Sequence, residues 1–191
     1  KSGLAIHVNG QVIGAYVVEI GKDVVIAASR EHSRIVIRRD RIDAVATLFG
    51  WYDLPSALEP DGVLKLRWAS DLFASSSGHR RRPTPCGNLE PSVCDPWLES
   101  AQQGAFTPAA LRLLRERSAS SDPRRLEAAT LVVQGQMDSL FDLTQATRLA
   151  EQLERNHAPV RVEWVRGGHD LPLDRRQRAH VERAVVRWLD R

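Results

Sequence analysis

The sequence predicts an α/β fold, partial in extent, with a mostly parallel sheet flanked by helices and interrupted by a helical and loop insertion expected to form a lid or cap. Three observations carry this. Residues 129–190 alternate strand, helix, strand, helix, a rhythm that parallel strands with right-handed crossovers produce. The strand candidates are continuous apolar runs, as in strands buried on both faces. Between about 54 and 123 the composition changes, with five of the ten prolines lying between Pro83 and Pro108.

The 191 residues suit one domain or a large piece of one. Hydrophobic residues make up 42% and charged residues 27%, with a mean hydropathy of −0.32, the balance of a water-soluble globular chain. No apolar run is long enough to span a membrane. The chain opens at Lys1 without a Met and without a signal-peptide pattern, so either a leader was removed or it begins inside a longer protein. A pI near 9.2 raises the question of nucleic acid. However, 27 Lys and Arg are nearly matched by 24 Asp and Glu, and the basic clusters are scattered without aromatic interleaving. The expectation is solvated surface charge and no nucleic-acid partner.

Residues 1–53 read as a strand-rich first part. Leu4–Val8 and Gln11–Ile20 flank Asn9-Gly10, a hairpin dipeptide. Val24–Ala27 is a short buried-type run, residues 29–40 are polar and read as a short helix, and residues 41–49 form another strand candidate. In the insertion, the prolines and Ser75-Ser76-Ser77-Gly78 predict loops. Helices are expected over residues 64–73 and after Thr107-Pro108, where Pro108 suits the first helical position. In residues 124–191, strands are expected at 129–135 and 160–165. Helices are expected at about 143–156 and 174–190, the first with Ala146, Leu149, Ala150 and Leu153 on one face. Trp164 and Trp188 fall at expected core positions. His157 and His180 fall on or beside helix surfaces, where they are expected to be solvated.

Ligands of open α/β sheets sit beyond the carboxyl ends of the strands. Asp138 follows one strand and His169 the next, so parallel neighbours bring the two loops together. A histidine acting as general base needs a carboxylate on its other ring nitrogen to hold the tautomer and stabilise the imidazolium. Acid followed by histidine is the chain order of α/β-hydrolases, whose serine comes earlier. The plain alternative for each residue alone is a turn or capping role.

Thr130-Leu131-Val132-Val133-Gln134-Gly135-Gln136-Met137-Asp138 and Gly167-Gly168-His169-Asp170 resemble the Xaa-Pro dipeptidyl-peptidase and cocaine-esterase-like branch of the α/β-hydrolases. Residues 41–46, Trp51-Tyr52-Asp53-Leu54, residues 60–65 and the stretch from Cys86-Gly87 to Val93-Cys94 resemble the segment after the nucleophile in exported bacterial members, so the likeness covers about residues 41–190. It implies a serine hydrolase acting on a small ester or peptide substrate, with Asp138 as orienting acid, His169 as general base and no metal or organic cofactor.

The sequence departs from that family at the nucleophile. No Gly-x-Ser-x-Gly occurs; Ser29 follows a strand candidate, but Ala27 and Glu31 stand where the glycines belong. Ser29 is the expected nucleophile and Ser33 a weaker candidate; the alternative for Ser29 is a helix cap. Only 28 residues precede Ser29, too few for the strands that come before an elbow, so the expectation is a partial hydrolase fold. The rival is a non-catalytic or truncated hydrolase-fold protein acting as a binding module. Trp51 and Tyr52 are candidates for an acyl pocket or for packing within the insertion. Cys86 and Cys94 are either a disulfide, implying an oxidising, exported setting, or two unpaired thiols. No zinc spacing accompanies them.

Overall fold

A computed structural model describes residues 42–77, 86–87 and 89–190, and the backbone of four strands before them. Those strands are β1 (Leu4–Val8), β2 (Gln11–Ile20), β3 (Val24–Ala28) and β4 (Ile35–Arg38). They are followed by β5 (Ala44–Leu48), β6 (Ala129–Gly135) and β7 (Val160–Val165). The chain divides into two compact units, Lys1–Gly50 with Asp122–Arg191, and Trp51–Ser121.

The first unit is a mixed α/β structure built on one seven-stranded sheet, ordered β4-β3-β2-β1-β5-β6-β7. Only the β5–β6 and β6–β7 pairings are parallel; β4, β3, β2, β1 and β5 pair antiparallel in succession. This corrects the expectation of a mostly parallel sheet. The first strands are joined by connections too short for a crossover helix, and such connections reverse the chain. It also corrects the reading of residues 29–40 as a short helix: Ile35-Val36-Ile37 are three consecutive β-branched residues, and they extend as β4.

Helices α5 (Leu143–Arg155) and α6 (Arg175–Leu189) flank the three parallel strands. Leu131 and Val133 on β6 pack with Ala44 and Ala46 on β5, Val165 on β7, and Val181, Ala184, Trp188 and Leu189 of α6. Strand alternation turns Thr130, Val132 and Gln134 to the opposite face, on which α5 packs. With both faces covered, β6 is buried from Thr130 to Gly135, which explains its unbroken apolar run. Each helix starts on an aspartate cap. Asp142 accepts from the Thr144 N–H at 2.9 Å and Asp174 from the Gln177 N–H at 2.8 Å. Trp188 is buried as expected, but Trp164 is 43% exposed because β7 is the last strand of the sheet.

The second unit, an insertion between β5 and β6, holds α1 (Leu54–Leu58), α2 (Leu66–Ser77), α3 (Pro91–Gln103) and α4 (Pro108–Glu116). Helix α3 corrects the expectation of loop across the proline-rich stretch. Pro91 stands in its first turn, where a missing N–H costs nothing, so only Pro96 removes a helical bond. A Cys86–Cys94 disulfide pins its first turn, and the Ser100 hydroxyl accepts from the Thr107 N–H at 3.1 Å at the start of α4. Trp51 is used within this unit, its indole N–H donating to the Arg117 carbonyl at 3.0 Å. No helix among the described residues is long and apolar enough to cross a membrane.

Candidate active site

The loops after β6 and β7 leave the same edge of the sheet and meet. Asp138 lies three residues past Gly135 with its carboxylate fully buried, and four N–H groups converge on it. Oδ1 accepts from the backbone N–H of Leu140 and of Phe141, both at 3.0 Å. Oδ2 accepts from the His169 backbone N–H at 3.2 Å and lies 2.7 Å from His169 Nδ1. A carboxylate cannot donate, so this contact makes Nδ1 the protonated nitrogen and leaves Nε2 as the basic one. The imidazole is 28% exposed. Phe141 meets it edge-on at 5.2 Å between ring centroids and Phe49, just past β5, at 6.2 Å, so two aromatic rings restrict its rotation.

A second bond pair runs parallel to the first, one residue further along each loop. Asp170 Oδ2 accepts from the Ser139 N–H at 2.7 Å, and Oδ1 from the Ser139 hydroxyl at 2.8 Å. Asp138–His169 and Ser139–Asp170 therefore tie the loops together in step. Below them Gln134, buried on β6, donates from Nε2 to the Phe141 carbonyl at 2.6 Å and braces the turn that carries Asp138.

The glycines of both motifs are there because the loops touch. A Cβ on Gly135 would sit 2.0 Å from the Gly167 carbonyl oxygen, and one on Gly168 would sit 2.7 Å from the Asp138 Cβ. Gly167 is closed off by the Leu171 carbonyl and the Leu173 side chain, each 2.7 Å from an added Cβ. The short distance between Asp138 and His169 exists because no side chain stands between these backbones.

Other charged groups of this unit lie elsewhere. Burial pushes the Glu163 carboxyl up, but hydrogen bonds from His180 and the Arg161 charge and bond outweigh it and hold it below the ordinary glutamate range. The Gln177 backbone N–H, followed by its side-chain amide, lowers Asp174. Among the described residues, the Sγ atoms of Cys86 and Cys94 and a carboxylate oxygen of Asp95 lie within 4.8 Å of one another, but the disulfide occupies both sulfurs.

Ser29 and Ser33, the expected nucleophile and its weaker rival, lie outside the described residues. The strand before Ser29 is described: β3 is separated from β5 by β2 and β1, about 14 Å at ~4.8 Å per step. The strand directly beside β5 is β1, and it runs antiparallel, so its carboxyl end points to the edge opposite Asp138 and His169. The Ser139–Asp170 tie and the aromatic clamp of Phe49 and Phe141 escaped the sequence reading. The repeated offset between 138–169 and 139–170 was a signal available for the first. No protein-family model matches the chain, and no curated protein matches it significantly.

Proposed function

We propose that this chain carries the acid and base of a serine-hydrolase-type site on a partial α/β-hydrolase fold of the Xaa-Pro dipeptidyl-peptidase and cocaine-esterase-like branch. The reaction is hydrolysis of an ester or amide bond. His169 Nε2 takes the proton from the attacking hydroxyl and returns it to the leaving group, while Asp138 holds the ring and stabilises the imidazolium. The observation that carries this reading is the 2.7 Å contact between His169 Nδ1 and a buried carboxylate already held by three backbone N–H groups. A lone turn-forming aspartate needs no such convergence on a neighbouring loop. The supporting pattern is Gln-Gly-x-x-Asp followed by Gly-Gly-His after consecutive parallel strands.

A specific observation favours a second reading, a hydrolase-fold binding module without its own nucleophile. A nucleophile elbow needs a strand beside β5 whose carboxyl end reaches the same edge, and β1 runs the other way. One experiment separates the two. The chain and its H169A variant are treated with a fluorophosphonate probe, and modified peptides are mapped. Labelling of one serine that disappears in H169A supports the hydrolase and identifies the nucleophile. Labelling at Ser29 would require the chain after β3 to reach the opposite edge, since β3 runs antiparallel to β5. Absence of labelling, with no His169-dependent turnover of an activated ester, sinks the hydrolase reading for this chain and leaves the binding module.

A further inference from the structure

Strand β7 ends the sheet, and among the described residues no strand pairs with its outer side. Its inner side is fully used by β6 in unbroken register, from Thr130 opposite Val160 to Gly135 opposite Val165. The Pro159 carbonyl accepts from the Thr130 N–H at 2.8 Å and the Val165 carbonyl from the Gln136 N–H at 2.7 Å. The odd-numbered residues thus direct their main-chain groups at β6. Alternation turns the N–H and C=O groups of Val160, Val162 and Trp164 outward, away from the sheet. Edge strands are blunted by an internal proline, a bulge or charged side chains; β7 has no proline and no bulge, and its charges are the Arg161 and Glu163 pair.

The side chains of β7 read the same in both directions. Arg161 and Glu163 lie on one face, symmetric about Val162; Val160 and Trp164 lie on the other, also symmetric about Val162. We infer that β7 is the interface of a symmetric dimer, in which β7 of a second copy of this chain adds antiparallel about a two-fold axis through Val162. The inference rests on β7 and is independent of the reading of Asp138 and His169.

The backbone limits the choice of register. Outward main-chain groups of the two copies must meet, so even-numbered residues face even-numbered ones. Centred on Val162, this pairing hydrogen-bonds Val162 to its counterpart and Val160 to Trp164 of the second copy. Arg161 then faces Glu163 of the second copy twice, in the non-hydrogen-bonded sites where side chains approach most closely. The neighbouring allowed registers, centred on Arg161 or on Glu163, put Arg against Arg or Glu against Glu, which is unfavourable. Within one copy Arg161 reaches along its own strand to Glu163 at 2.5 Å. The two-fold arrangement gives the same charges a second pairing across the interface and covers the exposed Trp164 with Val160. Such a contact uses one patch on both copies and closes upon itself, without leading to a fibre.

The test is sedimentation of the full chain over a concentration series, with circular dichroism to verify folding. The wild type is expected to show a reversible monomer–dimer equilibrium. Arg161→Glu and Glu163→Arg are each expected to weaken it at least tenfold, because each places like charges opposite one another. An equimolar mixture of the two variants, and the double variant R161E/E163R, are expected to restore it. Val162→Pro is expected to abolish it while keeping the β6 ladder, since the N–H it removes points outward. A wild type that stays monomeric throughout overturns the proposal, as does a dimer indifferent to all of these changes, which would place another surface, or another occupant, at the contact. Failure of the mixture to restore pairing overturns the register.

Discussion

The two halves of the sheet use similar strands to opposite ends. In the parallel half, β5, β6 and β7 all run one way, so Phe49, Asp138 and His169 leave from the same edge and meet. In the antiparallel half, β1 to β4 reverse at each connection, and consecutive strand ends fall at alternate edges. Crossover connections gather successive loops into one cluster; hairpin connections scatter them. The Asp138–His169 pair therefore forms in the last third of the chain, although the first fifty residues contribute most of the strands.

The largest effects should come from the dyad itself. If the parallel half works as a hydrolase site, H169A should lower His169-dependent turnover of an activated ester by about 10³–10⁴-fold, and D138N by a similar factor through the wrong tautomer. Equal rates for wild type and both variants would remove function from the comparison and leave only geometry. Next come the glycines. Ala at position 135 places a methyl group 2.0 Å from the Gly167 carbonyl oxygen of the neighbouring loop, and Gly135 itself is fixed in the β6–β7 ladder. We expect G135A to cost about 3 kcal/mol in denaturant unfolding. G168A should cost less but displace Asp138 from His169, visible as loss of the Nδ1-protonated imidazole signal by NMR. If G135A is neutral, close loop approach is not what distinguishes this half.

The parallel half was also the legible one. Strands β6 and β7 and helices α5 and α6 lie where periodicity puts them, because two covered faces leave a continuous apolar run and a one-sided helix leaves a stripe. Asp138 and His169 could be singled out because a strand end followed by Gly-rich sequence is a local signal. What the glycines avoid was not legible, since the atoms they would strike belong to the other loop. The exposure of Trp164 depends on β7 being last in the sheet, which no window of sequence contains. The hairpin of β1 and β2 was visible in Asn9-Gly10, whereas the order β2-β1-β5, set by long-range pairing, was not. Helix α3 is hidden in the sequence because proline content alone signals loop, whereas position decides: Pro91 begins a helix, and the Cys86–Cys94 link and the Thr107 contact hold what Pro96 weakens.

A smaller effect tests whether the paired loops need both ties. Asp170 accepts both the N–H and the hydroxyl of Ser139, one step beyond the dyad and close to solvent. D170A should cost about 1–2 kcal/mol of stability, as for a hydrogen bond to a charged group. If the tie positions the dyad, the Nδ1-protonated imidazole population should also fall and any ester turnover should drop in kcat more than in KM. A stability change alone would make Asp170 a loop fastener with no part in the site.

The smallest expected effect lies at Asp174, where the His169 loop enters α6. The Gln177 N–H bonded to its carboxylate lowers its pKa, so the folded state favours the charged form. A carboxyl depressed on folding contributes stability that is fully present above its unfolded pKa and is lost as pH falls through the lower folded value. D174N keeps a capping oxygen and removes the charge. It should therefore be slightly less stable than wild type at neutral pH, and the difference should vanish in that acid window. The imidazole of His169 serves as the internal control. If its signal is unchanged in D174N, the loop is held by its ties to the β6 loop and not by the helix it leads into. A shift in that signal would make α6 part of the apparatus that positions the base.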